Sequence, residues 1–242
     1  MMSIINKIMN MFNKKQSVLS PFELFSIKVL LKRLENNGNM NILVSPARIT
    51  SILAFLSHFT DEETKERIRR ILSITDDDVI RYLTKDSLLP SNNYGSWSSE
   101  EYRKLLTIEN SSSIWIDSTI STSDLFDAVS KEWGYEKVVT SLCSDETKQR
   151  IRNYVKMYTN GMIKNMNVDF SPSTKAVLVD CLYFKGKWRM TFDTSDTKPD
   201  VFYSTNSEKI VPFMKVWLRF GNYYSCRTFQ AIELDYRCYC ED

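Results

Sequence analysis

The sequence holds a single histidine, His58, and lacks the short motifs around which many enzyme active sites are built. A Ser-His-Asp or Cys-His hydrolase needs a histidine as its general base, and no nucleophile motif such as Gly-x-Ser-x-Gly accompanies His58. A glycine-rich phosphate loop and a dinucleotide-binding fingerprint are also missing. These absences predict a protein that is not an enzyme, with no catalytic residue, no cofactor and no small-molecule substrate.

Cysteines are few and scattered, at positions 143, 181, 226, 238 and 240. Their odd number and irregular spacing argue against a disulfide framework and favour a reducing compartment, so we expect a cytoplasmic protein rather than a secreted one. Cys226, Cys238 and Cys240 are the best candidates for a metal site. Structural zinc sites usually need four ligands in two close pairs, and His58 is remote in sequence, so we predict no metal site.

Positive and negative side chains are also nearly balanced. Lys and Arg number 32 and Asp and Glu 30, which gives a net charge of +2 at pH 7. Domains that bind nucleic acid carry a basic stripe or patch, so this balance predicts no nucleic-acid partner. Glycine and proline occur only six times each, which excludes long flexible linkers and low-complexity segments. A chain of 242 residues is then one large domain or two small ones.

Long hydrophobic runs are absent, and no segment approaches the length of a transmembrane helix. The first 20 residues carry a loose helical stripe that includes Ile4, Ile8 and Phe12, but asparagine and lysine side chains interrupt it. The segment therefore lacks the continuous apolar region of a signal peptide. We interpret residues 1–20 as an N-terminal extension or helix, and a weak membrane-surface anchor is the less favoured alternative.

What the sequence does contain is a clear order of helical and strand patterns. Helices are predicted over residues 22–35, 45–59, 62–74, 76–89, 122–134 and 144–161, and strands over 41–44, 105–117, 136–142, 177–188, 200–204, 209–225 and 229–236. Ser45 and Ser144 are the expected N-caps of two of these helices. Helices come first, helices and strands then mix, and strands come last, which indicates an α+β fold rather than a βαβ repeat.

The strand predicted over residues 177–188 is apolar on both faces. This pattern is typical of an interior strand of a sheet that is covered on both sides. Asp180 interrupts one of these faces and is therefore expected to be buried. A buried carboxyl group must find hydrogen-bond partners or stay protonated.

Several stretches resemble the serpin family. NILVSPARITSILAFL is similar to a serpin strand and the helix after it, and IRNYVKMYTNGMIKNM is similar to a later helix and its following turn. The most specific stretch, TKAVLVDCLYFKGKWRMTFDTSDTKPDVF, begins at Thr174. The resemblance starts at about Phe22 and implies a partial serpin domain over residues 21–242, with N-terminal helices and a large mixed β-sheet.

The amino-acid composition, rich in asparagine, isoleucine and lysine, is most similar to that of the compact serpins of poxviruses. This resemblance implies a host-modulating viral protein in the cytoplasm of an infected cell. Its implied partner is a host protease or another host protein.

The resemblance also implies roles for four residues. In serpins the strand at 177–188 is the third of the main sheet, which opens beside it to accept the cleaved reactive loop, and Trp188 lies near the point of entry. Ser45, Arg48 and Asp180 fall on a polar cluster that controls this opening, where the family carries serine at position 48 and asparagine at position 180. We therefore expect Asp180→Asn to be neutral or stabilising, because a buried amide costs less than a buried carboxylate.

Inhibitory serpins need a hinge rich in Ala, Thr and Gly that leads into the reactive loop near the C-terminus. These 242 residues contain no such stretch, and the resemblance ends at RCYCED, near the first strand of the second sheet. The sequence therefore predicts a relative of serine protease inhibitors that is C-terminally truncated before the reactive loop and does not trap a protease. The alternative is a non-inhibitory interaction module that binds through unpaired strand edges.

Overall fold

The computed structural model describes residues 21–36, 42–72, 105–204, 207–218, 221–227 and 230–237. The predictions for residues 1–20, for the helix over 76–89 and for Cys238 and Cys240 lie outside the described residues. The helices are α1 (Pro21–Asn36), α2 (Pro46–Ser57), α3 (Glu62–Leu72), α4 (Asp124–Glu132) and α5 (Asp145–Tyr158). The strands are β1 (Leu106–Asp117), β2 (Tyr135–Thr140), β3 (Ala176–Gly186), β4 (Lys198–Tyr203), β5 (Glu208–Phe213), β6 (Tyr223–Ser225) and β7 (Gln230–Ile232), with a 3₁₀ turn at Thr194–Asp196.

Serine residues are the N-caps of three of the helices. Ser45 caps α2 by accepting a hydrogen bond from the Arg48 N–H at 3.3 Å, and Pro46 occupies the first turn, where its missing N–H costs nothing. Ser144 caps α5 in the same way by accepting from the Thr147 N–H. Both predicted caps are confirmed. Ser123 caps α4 by accepting from the Phe126 N–H.

The chain divides into two compact units, Met1–Asn92 with Ile108–Tyr183, and Asn93–Thr107 with Phe184–Asp242. The first unit contains the helices and most of a three-stranded sheet of order β2-β1-β3. The prediction that residues 21–242 form one serpin domain stays a prediction.

The sheet is mixed, with β1 parallel to β2. The Asp117 N–H donates to the Lys175 carbonyl and the Lys187 N–H donates to the Leu105 carbonyl, so β3 runs antiparallel to β1. No strand of the described residues pairs with the other side of β3, which is an edge strand there. The prediction of an interior strand is therefore not met within this part of the chain.

Helices cover both faces of the sheet, which explains why β3 is apolar on both sides. Trp115, Val179 and Cys181 pack against α5 through a cluster that includes Ile151 and Val155. On the opposite face a second buried cluster joins helices α2 and α4 to strands β1 and β2. It consists of Phe55 of α2, Val129 of α4, Ile114 and Ile116 of β1, and Tyr135 of β2. A third cluster joins α1, α2 and α3. Each face therefore has its own core.

Residues 42–45 have no regular secondary structure, so the strand predicted over 41–44 is wrong for the residues that are described. Leu43 is 98% exposed. A short apolar run becomes a strand only when a neighbouring strand pairs with it, and none of the described strands does so here.

The second unit contains two short antiparallel ribbons, β4–β5 and β6–β7. Trp188 lies just beyond β3 and forms an isolated bridge with Tyr236. The Arg189 N–H donates to the Asp235 carbonyl and the Arg237 N–H to the Lys187 carbonyl, so these two segments continue an antiparallel pairing.

Candidate functional site

Three side chains from three adjacent strands form a polar row across the sheet. Tyr135 of β2 lies opposite Ser112 of β1 in the parallel register. The antiparallel register of β1 and β3 places Ser112 opposite Asp180, and the Ser112 hydroxyl donates to Asp180 Oδ2 at 3.0 Å. We call Tyr135, Ser112 and Asp180 the polar row.

Arg48 reaches the polar row from the first turns of α2. Its Nε and one terminal nitrogen both donate to the carboxylate of Asp180, which makes the pair bidentate. The same terminal nitrogen donates to the Ser112 hydroxyl at 2.6 Å. The side chains of Arg48 and Asp180 are only 10% and 3% exposed, so this is a buried ion pair.

This pair corrects the expectation for Asp180→Asn. The sequence predicted correctly that Asp180 is buried, but the structure gives it a cationic partner that the expectation did not include. Removing the charge of Asp180 would leave the Arg48 guanidinium buried without a counter-charge. Breaking one side of a buried ion pair is strongly destabilising, so Asp180→Asn should destabilise the chain rather than be neutral.

Tyr135 completes the polar row with a hydroxyl that has no hydrogen-bond partner among the described residues. Burial raises the pKa of Tyr135, and the charge of Asp180 raises it further. The nearby charge of Arg48 acts in the opposite direction and lowers the pKa of Tyr135. Tyr135 is therefore neutral, at the position of β2 that lies opposite Ser112. Burial, with a smaller effect of Asp180, also raises the pKa of the neighbouring Cys181 thiol to about 11.

The two serines next to Ser112 form hydrogen bonds with other partners, Ser111 with a tyrosine of α5 and Ser113 with a tryptophan of β1. The Ser111 hydroxyl lies 2.5 Å from the hydroxyl of Tyr154 on α5. Trp115 Nε1 donates to the Ser113 hydroxyl at 2.9 Å. The polar roles of these serines and of the two tyrosines were not predicted from the sequence. The signal that could have found them is the run of three serines inside an otherwise apolar strand, which demands polar partners once it is buried.

The structure brings together three of the four residues assigned from the resemblance. Arg48 and Asp180 bind each other, and Ser45 accepts from the backbone N–H of Arg48. Trp188 belongs to the second unit, where its ring stacks on Tyr236 with centroids 4.6 Å apart and planes 11° apart. The roles of these four residues in sheet opening stay a prediction.

Among the described residues, no group of three or more His, Cys, Asp or Glu side chains could hold a metal ion. In the same part of the chain, no helix is both long enough and apolar enough to cross a membrane.

A family model described as serpin, serine protease inhibitor, matches residues 23–241. The chain therefore belongs to the serpin family, whose members are described as inhibitors of proteases. It is 30% identical over 210 residues to an uncharacterized serpin-like protein of Thermococcus kodakarensis, covering 86% of this chain and 47% of that protein. It is 26% identical over 226 residues to Serpin B3 of Homo sapiens, covering 86% of this chain and 57% of that protein.

Solved serpin structures share the fold. Cleaved kallistatin in complex with heparin matches with a TM-score of 0.75 at 20% identity, over 91% of this chain and 65% of that chain. A plant serpin of Arabidopsis in its native stressed conformation matches with a TM-score of 0.73 at 20% identity, over 91% and 58%. The predicted serpin-like α+β fold is confirmed. The chain spans about half the length of the curated relatives that it matches.

Proposed function

We propose that these 242 residues act by binding a protein partner and do not by themselves trap a protease. The observation that carries this proposal is the apolar surface of the second unit, where the ribbons β4–β5 and β6–β7 leave large side chains in solvent. Contiguous exposed apolar surface on a soluble protein is typical of a protein–protein interaction site.

The ribbon β4–β5 presents apolar side chains on one face. Its register pairs Val201 with Ile210, which places Val201, Tyr203, Ile210 and Pro212 on the same side. Tyr203 is 72% exposed and Ile210 is 76% exposed. The charged residues of this face are confined to Glu208 at one end of the ribbon. A partner that covers the face would therefore bury apolar surface at little cost in desolvated charge.

The ribbon β6–β7 has only three residues in each strand, and all of them are exposed. Among the described residues neither ribbon pairs with a further strand. An isolated two-stranded ribbon is marginally stable in water, so a partner that covers it also stabilises it. The partner chemistry that fits is an extended polypeptide segment, which supplies backbone hydrogen bonds to the ribbon edge and apolar side chains to its face.

One structural feature supports binding in place of trapping. The neutral serine and asparagine that the resemblance implies at positions 48 and 180 are replaced by a buried ion pair. Trapping stores strain in the sheet and releases it when a cleaved loop inserts as a new strand, and an ion pair that fixes the sheet to α2 opposes that insertion.

The proposal extends to where the protein acts. Resemblance to the compact poxvirus serpins supports a host-modulating role in the cytoplasm of an infected cell, with a host protease or another host protein as the partner. The relatives named above come from an archaeon and a human.

Protease inhibition is the second candidate function, favoured by the description of the family. Incubating the purified chain with a panel of serine and cysteine proteases separates the two. We expect no SDS-stable complex with any protease. A covalent complex that survives SDS and requires the active-site nucleophile of the protease would refute the proposal.

Binding through the ribbons is tested with surface variants. The purified chain and the variant Tyr203→Ser/Ile210→Lys are each titrated with a library of extended peptides that alternate apolar and polar residues. We expect the variant to lose at least tenfold in affinity for the peptides that bind, while the control Ile71→Lys, at an exposed apolar position of α3, keeps it. Equal affinity of all three proteins would contradict ribbon binding.

A further inference from the structure

The helix α5 ends in a turn that places an asparagine directly before a glycine. Asn160 has a left-handed backbone conformation with φ 47°, and Gly161 follows with φ 73°. The Gly161 N–H donates to the Lys156 carbonyl at 2.8 Å, and the Asn160 N–H donates to the Met157 carbonyl at 3.1 Å. These two bonds form a Schellman cap, which satisfies carbonyls of the last helical turn and accepts asparagine at its left-handed position.

An asparagine followed by glycine is also a reactive pair, because glycine has no side chain to hinder an attack by its backbone nitrogen. That nitrogen, after losing its proton to water, forms a bond to Cγ of the asparagine and closes a succinimide ring. The Cγ–Nδ2 bond breaks, and ammonia leaves with a proton taken from water. Water then opens the ring at either carbonyl, which gives aspartate or isoaspartate. Isoaspartate carries an extra carbon in the main chain.

The fold holds both of the groups that must react. The nucleophile is the Gly161 nitrogen, whose proton is bound to the Lys156 carbonyl. The leaving group is the side-chain nitrogen of Asn160, which donates to Glu109 Oε2 of β1 at 3.1 Å. The carboxylate of Glu109 also disfavours the negative charge that develops on the asparagine carbonyl during the attack. Asn160 and Glu109 are exposed, so these hydrogen bonds, and not exclusion of water, protect the site.

We propose that Asn160 is a deamidation site that the cap of α5 keeps unreactive, so that its conversion records opening of this helix end. Conversion of the open cap hinders its closing again. A new carboxylate takes the place of the amide that donated to Glu109, and the two like charges repel. In isoaspartate the longer main chain also displaces the Gly161 N–H from the Lys156 carbonyl. The site lies in the first unit and does not depend on the proposed function.

Peptide mapping by mass spectrometry tests the site. The purified chain is incubated in native buffer and, in parallel, unfolded in urea, and aspartate and isoaspartate at position 160 are quantified over time. The map separates this position from Asn37–Gly38, the other Asn-Gly pair of the sequence. We expect conversion of Asn160 in urea and a rate at least about tenfold lower in the native chain. No conversion in urea, or equal rates in the two conditions, would overturn the proposal.

The bond to Glu109 is tested with a pair of exposed variants. Glu109→Ala removes the acceptor of the Asn160 side chain and should raise the conversion rate of the native chain about two- to fivefold. The matched control is Glu136→Ala, at an exposed position of β2, which should leave the rate unchanged. Equal rates in the two variants would refute protection by Glu109.

The record of opening is tested by converting the chain in urea and returning it to native buffer. The control is Asn160→Gly, treated in the same way, because glycine fits the left-handed position and carries no amide. Conversion elsewhere in the chain is then the same in both samples. Amides in the last turn of α5 should exchange faster in the converted chain than in the control. Equal exchange would show that the cap closes over the converted residue, and it would refute the record.

Discussion

The two units of this chain are built from strands of similar sequence character but differ in what covers those strands. In the first unit helices pack on both faces of the sheet and bury side chains such as Phe55, Ile114 and Ile151 almost completely. In the second unit Leu105 is the only apolar side chain of the described residues that is buried, while Ile210 and Trp217 are 76% and 92% exposed. Strand-forming residues thus produce a core only where another layer lies over them. The first unit therefore supplies most of the buried apolar contacts that stabilise the chain, and the second unit supplies exposed apolar surface that a partner could bind.

The largest expected effect of a substitution is in the core of the first unit. Phe55 is fully buried, and its ring stacks on Tyr135 with centroids 4.2 Å apart. Phe55→Ala should lower the free energy of unfolding by about 3–5 kcal/mol, because it removes buried apolar contacts and leaves a cavity. Urea denaturation followed by circular dichroism measures this loss.

The matched control is Ile210→Ala on the β4–β5 ribbon, which should change the same quantity by less than about 0.5 kcal/mol. Similar losses in the two variants would remove the distinction between the units.

A smaller effect is expected where the second unit is tightly packed. A Cβ at Gly186 would lie 2.5 Å from the ring of Tyr236, the ring that stacks on Trp188. Gly186→Ala should therefore displace Tyr236 and cost about 1–3 kcal/mol of local stability. The displacement is measured by the change in total tryptophan fluorescence, to which Trp188 contributes, and by near-ultraviolet circular dichroism.

Gly221→Ala is the control in the same unit, because a Cβ there would meet its nearest atom at 3.7 Å, an ordinary contact distance. We expect Gly186→Ala to change both spectra and Gly221→Ala to leave them native. Native spectra for both variants would show that the second unit lacks this packed contact.

The smallest expected effect is a pH dependence that arises in the first unit. Burial, and then the charge of Asp180, raises the pKa of Cys181 from 9.0 to about 11. The folded chain then keeps a proton that the unfolded chain loses, so the stabilising contribution is complete below pH 9 and is lost as the pH rises through about 11.

Urea midpoints measured at pH 8 and at about pH 10 should therefore fall with pH in the native chain, and fall less in Cys181→Ala. The control variant is Cys143→Ala, which removes an exposed thiol. An identical slope in Cys181→Ala and in the native chain would show that Cys181 is not the group responsible.

Local sequence signals predicted most of the first unit. Ser45 and Ser144 mark helix starts because a serine hydroxyl satisfies a free N–H of the first turn, and this signal needs no distant residue. The serpin resemblance then supplied the arrangement of these elements. Whether β3 is an edge or an interior strand could not be predicted in this way. Apolar residues on both faces of a strand show that helices cover the sheet above and below, but they do not show whether another strand pairs with it.

The candidate site was predicted only in part for a related reason. Asp180 and Arg48 were each singled out, but they lie 132 residues apart and their pairing depends on how α2 crosses the sheet. The polar row also needs the parallel register that sets Tyr135 beside Ser112, and no local pattern specifies that register. Sequence indicated that Asp180 requires a partner, and only the fold could identify which one.

Hydrogen exchange of the native chain, resolved by peptide, tests the central contrast most directly. The account predicts that amides of β1 and α5 exchange only through rare opening of the first unit, while amides of β6 and β7 exchange within seconds at neutral pH because their ribbon is exposed on every side. Protection of β6 and β7 equal to that of β1 would mean that the ribbons are already covered, and it would contradict the assignment of the second unit as the binding surface.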